Sequence, residues 1–225
     1  MFNSKERKEE RLNRREHDEI PVSKYNLTIG LCIIYGFIMT AILTMLARPI
    51  VEQMNYIVFI LLYFGCAIAG SIISAKSHDP KISFLGYNLI VLPVGALLSV
   101  CLPFYDSTLI ISAFLTTAAV TGIMMLIATS QWGHIFERMG PALFLSLTIG
   151  IIAEFVTGLF GYGGDLFNWF FVVIFSLYIG YDWHKAQMYP KTIDNAVDSA
   201  IDLYLDIINL FIRLLEILGS SKRRK

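Results

Sequence analysis

After an opening of about 25 mostly polar residues, the chain alternates long apolar runs with short polar joints. A bilayer core about 30 Å thick is crossed by about 20 apolar residues in a helix. By that measure Leu27–Ala47, Met54–Ala75, Ile82–Leu102, Ser107–Thr129, Pro141–Phe160 and Leu166–Tyr181 each predict a spanning helix. The joints hold helix breakers: Arg48-Pro49, His78-Asp79-Pro80, Pro103 with Asp106, Met139-Gly140-Pro141, and the glycine-rich run 161–164. Short joints between long helices make sequential neighbours antiparallel and predict one packed bundle. No internal repeat and no second domain emerge.

The last long segment, Asp194–Leu218, breaks the pattern. It is long enough to span, yet it holds Asp194, Asp198, Asp202, Asp206, Arg213 and Glu216. The four aspartates recur every fourth residue, so a helix gathers them into one slowly drifting stripe. Ala196, Val197, Ala200, Ile201, Leu203, Leu205 and Ile208 make the opposite face apolar. Two placements satisfy this pattern: a surface helix with its carboxylates in water, or a helix inside the bundle with its stripe on a cavity. The fold class expected is therefore an all-α integral membrane protein of about seven helices.

Composition supports that class. The chain of 225 residues is 56% hydrophobic and 16% charged, against roughly 45–50% and about 25% for soluble domains. Residues 1–24 hold seven of the eighteen basic residues and 222–225 hold four more, which leaves the body more apolar still. The expected organisation is a charged cytoplasmic tail over 1–24, a membrane domain over 25–219 and a basic tail over 220–225. The N-terminal tail mixes both signs with little apolar content. It reads as a solvated extension near anionic lipid, not a nucleic-acid arm. The first apolar run starts late and lacks a small-residue cleavage site, so it reads as the first span and not as a signal peptide. Cys32, Cys66 and Cys101 lie in separate apolar segments and read as small buried hydrophobes.

Loop charge sets the expected orientation. With seven crossings, the side of the N-terminus collects twelve basic residues and the other side six. The N-terminus is then cytoplasmic. The C-terminal Lys-Arg-Arg-Lys falls on the opposite side, so the seventh helix either crosses against the rule or re-enters. A short chain without an organelle address points to the plasma membrane of a bacterium.

Ionisable groups inside a bilayer cost several kcal/mol and mark function by default. Glu154 in span five, Asp182 at the end of span six, and Asp202 and Asp206 in the seventh helix qualify, with His184 two residues after Asp182. A buried carboxylate persists protonated, paired with a cation, sharing a proton with a second carboxylate, or bound to a hard cation such as calcium. Asp198 and Asp202 extend the stripe toward a mouth, where they either recruit cations or stay solvated. Glu154 lines a path or pairs with a neighbouring helix. His184 either tunes Asp182 or sits at the interface beside water. No HExxH, GxSxG or GxGD-like pair of motifs is present, so no enzyme is expected.

The stretches FSLYIGYDWHKAQ (175–187) and DLYLDIINLFIRLLEILG (202–219) resemble the end of the Bax inhibitor-1 family, also called the transmembrane Bax inhibitor motif family. Weaker likeness runs through Gly86-Tyr87, AFLTTAAVTG (113–122) and MGPALFLSLTIG (139–150). The resemblance implies a bundle of six helices around the C-terminal one and a pH-sensitive calcium leak. It also implies that Asp182 and Asp206 form a proton-sharing pair, with calcium held there in passing. Bacterial members bring an arginine from helix two to that pair. Here span two has no arginine, and Lys76 is the basic residue at its end.

The expected function is thus a passive, proton-regulated calcium leak channel of the cell membrane, with calcium as permeating ion, no cofactor, and the bilayer, calcium ions and protons as partners. A proton-coupled cation exchanger using the same acids and a non-transporting membrane regulator or scaffold are the alternatives.

Overall fold

A computed structural model describes Glu9, Arg11, Leu12, residues 19–160 and residues 164–223. Most of the N-terminal tail, the 161–163 part of the glycine-rich joint and the last two residues lie outside the described residues. The described chain is helical, and six of its helices are long and apolar enough to cross a membrane. The chain divides into two compact units. One is built from the chain through Phe104 with Met188–Asp202, the other from Tyr105–Gln187 with Leu203–Lys225.

In the first unit, α1 (Val22–Leu46), the short α2 (Arg48–Val51), α3 (Tyr56–Lys76) and α4 (Pro80–Cys101) follow one another. Two of these starts have a side-chain cap. Asn55 accepts hydrogen bonds from the amides of Ile57 and Val58 and caps α3. Asp79 accepts from the amide of Lys81, and Pro80 takes the first turn of α4, where no amide donor is needed. α4 packs against both α1 and α3. Its crossing with α3 is a glycine contact: a Cβ on Gly70 would lie 2.5 Å from the Gly86 carbonyl oxygen, and one on Gly86 would lie 2.6 Å from that of Gly70. Small residues let two apolar helices approach closely when lipid supplies no hydrophobic drive. That approach also brings Ser74 of α3 against Gly86.

The second unit contains α5 (Ser107–Thr129), the short α6 (His134–Glu137), α7 (Gly140–Leu159) and all but the last residue of α8 (Asp165–Met188). α8 runs seven residues past the predicted Tyr181, through a polar final turn that a hydropathy reading stops short of. Pro190 follows two residues after its end and cannot continue it. The outward faces of α3, α5 and α7 expose Leu61, Phe64, Leu115, Leu126, Ile152 and Phe155, as lipid-facing surfaces require.

α9 (Ile193–Arg223) has 31 residues and gives its first ten to the first unit and the rest to the second. It is buried on both faces. Ala196, Val197, Ala200, Ile201 and Leu203 are covered, and so are Asp194, Asp198 and Asp206. Of the two placements the pattern allowed, a surface helix with its carboxylates in water does not match this burial. With eight charged residues among 31, α9 is not among the helices apolar enough to be counted as a span.

Candidate functional site

The acidic stripe of α9 meets two different surroundings. In the first unit, its aspartates are met by hydroxyls and a guanidinium. The Ser83 hydroxyl of α4 donates to Asp194 at 2.6 Å, and the Ser74 hydroxyl of α3 donates to Asp198. The Gly70–Gly86 crossing places Ser74 for its bond. Asp198 is 0% exposed and Asp194 3%, so each bond is made away from water, where losing a donor costs most.

Arg11 completes this group, and its place is the largest departure from the sequence reading, which left the tail solvated. Its side chain is 1% exposed. Nη1 donates to Asp202 at 2.9 Å, and Nε lies 4.0 Å from Asp198. Nη2 donates to the Asn195 carbonyl at 3.1 Å and to the Ser199 hydroxyl at 2.6 Å. The guanidinium lies 4.0 Å over the Tyr189 ring, and the Asn195 amide donates back to the Arg11 carbonyl at 3.2 Å. Burial opposes the charge, but Asp198 and Asp202 outweigh it and hold Arg11 more firmly protonated than in water. Nearby, Lys191 donates to the Tyr189 carbonyl at 3.0 Å and stands 4.9 Å over the Tyr25 ring. Burial lowers the pKa of Lys191, and Glu19 opposes the shift.

In the second unit, Asp182 of α8 and Asp206 of α9 are both buried, 9% and 8% exposed. Lys185, one turn after Asp182, donates to its carboxylate at 3.2 Å and lies 5.4 Å from the Tyr181 ring centre. His184 turns elsewhere: its Nδ1 lies 3.5 Å from the Ala128 carbonyl and beside Gly133, at the end of α5. Neighbouring Trp183 donates to Thr129 at 2.8 Å.

Glu154 of α7 is paired across helices with Arg213 of α9. Nη1 and Nη2 of the arginine reach the two carboxylate oxygens at 2.5 and 2.8 Å. Arg213 also donates to Asn168 at 2.9 Å, lies 3.5 Å from Glu216 and stacks 4.3 Å over Phe171. A forked, two-oxygen pair is the strongest arrangement open to a carboxylate and a cation. Lys76 is exposed at the end of α3 and lines a shallow pocket with Ser77, His78 and Asp79. Among the described residues no group of three or more His, Cys, Asp or Glu could hold a metal ion.

Arg11 and Arg213 are the residues that reading the sequence missed as partners. One signal for Arg11 was available: an acidic stripe inside an apolar body demands a cation, and the tail is rich in them.

A family model described as inhibitor of apoptosis-promoting Bax1 matches residues 22–223. Among curated proteins, the chain is 32% identical over 120 residues to a BI1-like protein of Arabidopsis thaliana, covering 50% of this chain and 46% of that one. It is 34% identical over 125 residues to the Golgi anti-apoptotic protein of Vaccinia virus (strain Lister), covering 54% and 51%. It is 34% identical over 124 residues to protein lifeguard 4 of Mus musculus, again covering 54% and 51%. These matches span about half the length of each relative.

Proposed function

Since the chain belongs to the Bax inhibitor-1 family, we propose that it forms a proton-regulated leak pathway for calcium in the cell membrane, with its N-terminus in the cytoplasm. What supports the reading is that Asp182 of α8 and Asp206 of α9 are both buried, 9% and 8% exposed, within the same compact unit. Two carboxylates in a low dielectric share a proton more cheaply than they ionise together, and such a pair titrates as a unit. Taking up or losing that proton changes the charge facing a cation path, which makes the pair a switch. Calcium is the cargo here, and carboxylate oxygens are the ligands it prefers. The stripe of Asp202, Asp198 and Asp194 continues from Asp206 along the same helix. The chemistry is transport without bond making.

Reconstitution tests it. Calcium entry into dye-loaded liposomes is expected to vary with pH for the native protein, and Asp182→Asn or Asp206→Asn is expected to flatten that dependence. A native flux indifferent to pH, or variants that follow the native profile, would overturn the gating role. A second reading is a membrane regulator that moves no ion, favoured by the anti-apoptotic name of one relative. Absence of calcium flux at every pH, with the protein folded in the liposome, selects it.

A further inference from the structure

The end of α3 and the start of α4 face two ways. On the inner side, Ser74 and Ser83 are buried and donate to Asp198 and Asp194. On the outer side, Ile72, Ile73, Lys76, His78, Asp79 and Ile82 border a pocket of about 680 Å³, within the roughly 300–1,000 Å³ of small-ligand sites. Ile72 and Ile73 stand one helical turn before Lys76, so a single face of α3 carries the lysine and both isoleucines. Ile82 faces them from α4, 47% exposed. The joint itself is ordered: the Ser77 hydroxyl donates to the Asp79 carbonyl and accepts from the Asp79 amide, each at 3.0 Å. The Asp79 carboxylate accepts from the Lys81 amide and caps α4, so its charge is turned to the helix N-terminus. Lys76, His78 and Lys81 are all exposed. Lys76 closes one apolar helix and Pro80 opens the next. The cations therefore stand at the height of lipid headgroups, and the isoleucines, a turn deeper, at the height of the first acyl carbons.

We propose that this pocket seats one anionic phospholipid, its phosphate held by Lys76 and a ring N–H of His78, and the start of an acyl chain lying on Ile72, Ile73 and Ile82. A soluble anion would use the cations and leave the isoleucines without a partner. A neutral apolar ligand would do the reverse, and a metal cation would be repelled by Lys76. Only a molecule with a negative head joined to an apolar chain matches both halves of the lining. The inference is separate from the calcium reading and holds whether or not the protein moves ions. A lysine beside an anionic headgroup is worth about fivefold in affinity.

Native mass spectrometry of the full-length protein, stripped of lipid in a neutral detergent, counts adducts during titration with phosphatidylglycerol or phosphatidylcholine. The first phosphatidylglycerol is expected to bind at least about fivefold more tightly than the first phosphatidylcholine. Lys76→Gln combined with His78→Gln should remove that preference. Both side chains are exposed, so the double variant should fold, and its thermal midpoint checks this. Arg48→Gln, which removes a positive charge from the exposed joint after α1, should keep the preference. Glycerol phosphate, the headgroup without its chains, should not displace the lipid at matched concentration. A phosphatidylglycerol with a photoreactive group near the glycerol end of its chain should crosslink within residues 72–82. A preference that survives in the double variant, or crosslinks that fall only elsewhere, overturns the site. An equal loss with Arg48→Gln reduces the effect to overall charge and overturns it as well. Displacement by glycerol phosphate overturns the lipid as occupant.

Discussion

Two arginines meet carboxylates of the last helix's neighbourhood in opposite ways. In the second unit, Arg213 is built into α9 itself and grips Glu154 of α7 with both nitrogens, with Asn168 and Phe171 closing round it. In the first unit, the acids belong to α9 and the cation is brought in from the tail. The first arrangement is permanent, because both partners are fixed in helices of the bundle. The second takes its cation from outside the spans and buries it more deeply, the Arg11 side chain being 1% exposed against 20% for Arg213. Burying a charge demands a partner in either case.

The comparison is broken most severely at Arg213. Arg213→Ala leaves Glu154, whose side chain is 33% exposed, without its cation, and losing these charged hydrogen bonds is expected to cost about 2–3 kcal/mol. Denaturant unfolding in detergent measures it. The double variant Glu154→Gln with Arg213→Met should recover most of the loss, since neither group then needs compensation. A double variant as unstable as the single would mean the pair is held for some reason other than charge.

Ser74 tests the other side. Its hydroxyl donates to an aspartate that is 0% exposed, from a helix brought close by the Gly70–Gly86 contact. Ser74→Ala removes the donor and leaves the acceptor buried, an expected loss of about 1.5–2 kcal/mol in the same unfolding measurement. Ser74→Thr keeps the hydroxyl and should lose less. Equal losses would assign the effect to packing at the helix crossing and not to the bond with Asp198.

The helices were the legible part of this molecule, and the reasons differ from one to the next. Ser107–Thr129 was read to the residue, because Asp106 and the polar Ser130 bracket an apolar run with no ambiguity. Span six was read short because the reading stopped at Asp182, whereas backbone hydrogen bonding carries α8 on until proline approaches. The last helix likewise runs past Leu218 to Arg223, since Gly219 packs against the Tyr105 ring and does not end it. The acidic stripe was legible from its four-residue spacing. Its partners were not: Arg11 and Asp202 are 191 positions apart, Arg213 and Glu154 are 59 apart, and no local period links either pair. Charge-bearing tails look alike whether one of their side chains is seated or none is.

The smallest expected effect is at the third arginine–carboxylate pair, which calibrates the other two. Arg48 donates to Glu52 at 2.7 Å, one turn apart, and both are about half exposed. This bond is shorter than the one from Arg11 to Asp202. If length ranked these contacts, Arg48→Ala would rank with the severe variants. Solvent screens an exposed pair, and holding two long side chains together costs entropy, so the expected loss is below about 0.5 kcal/mol and is further reduced at high salt. A loss at Arg48 comparable with that at Arg213 would mean that distance and not burial orders the ion pairs of this protein. The contrast between covered and solvated ion pairs would then have lost its physical basis.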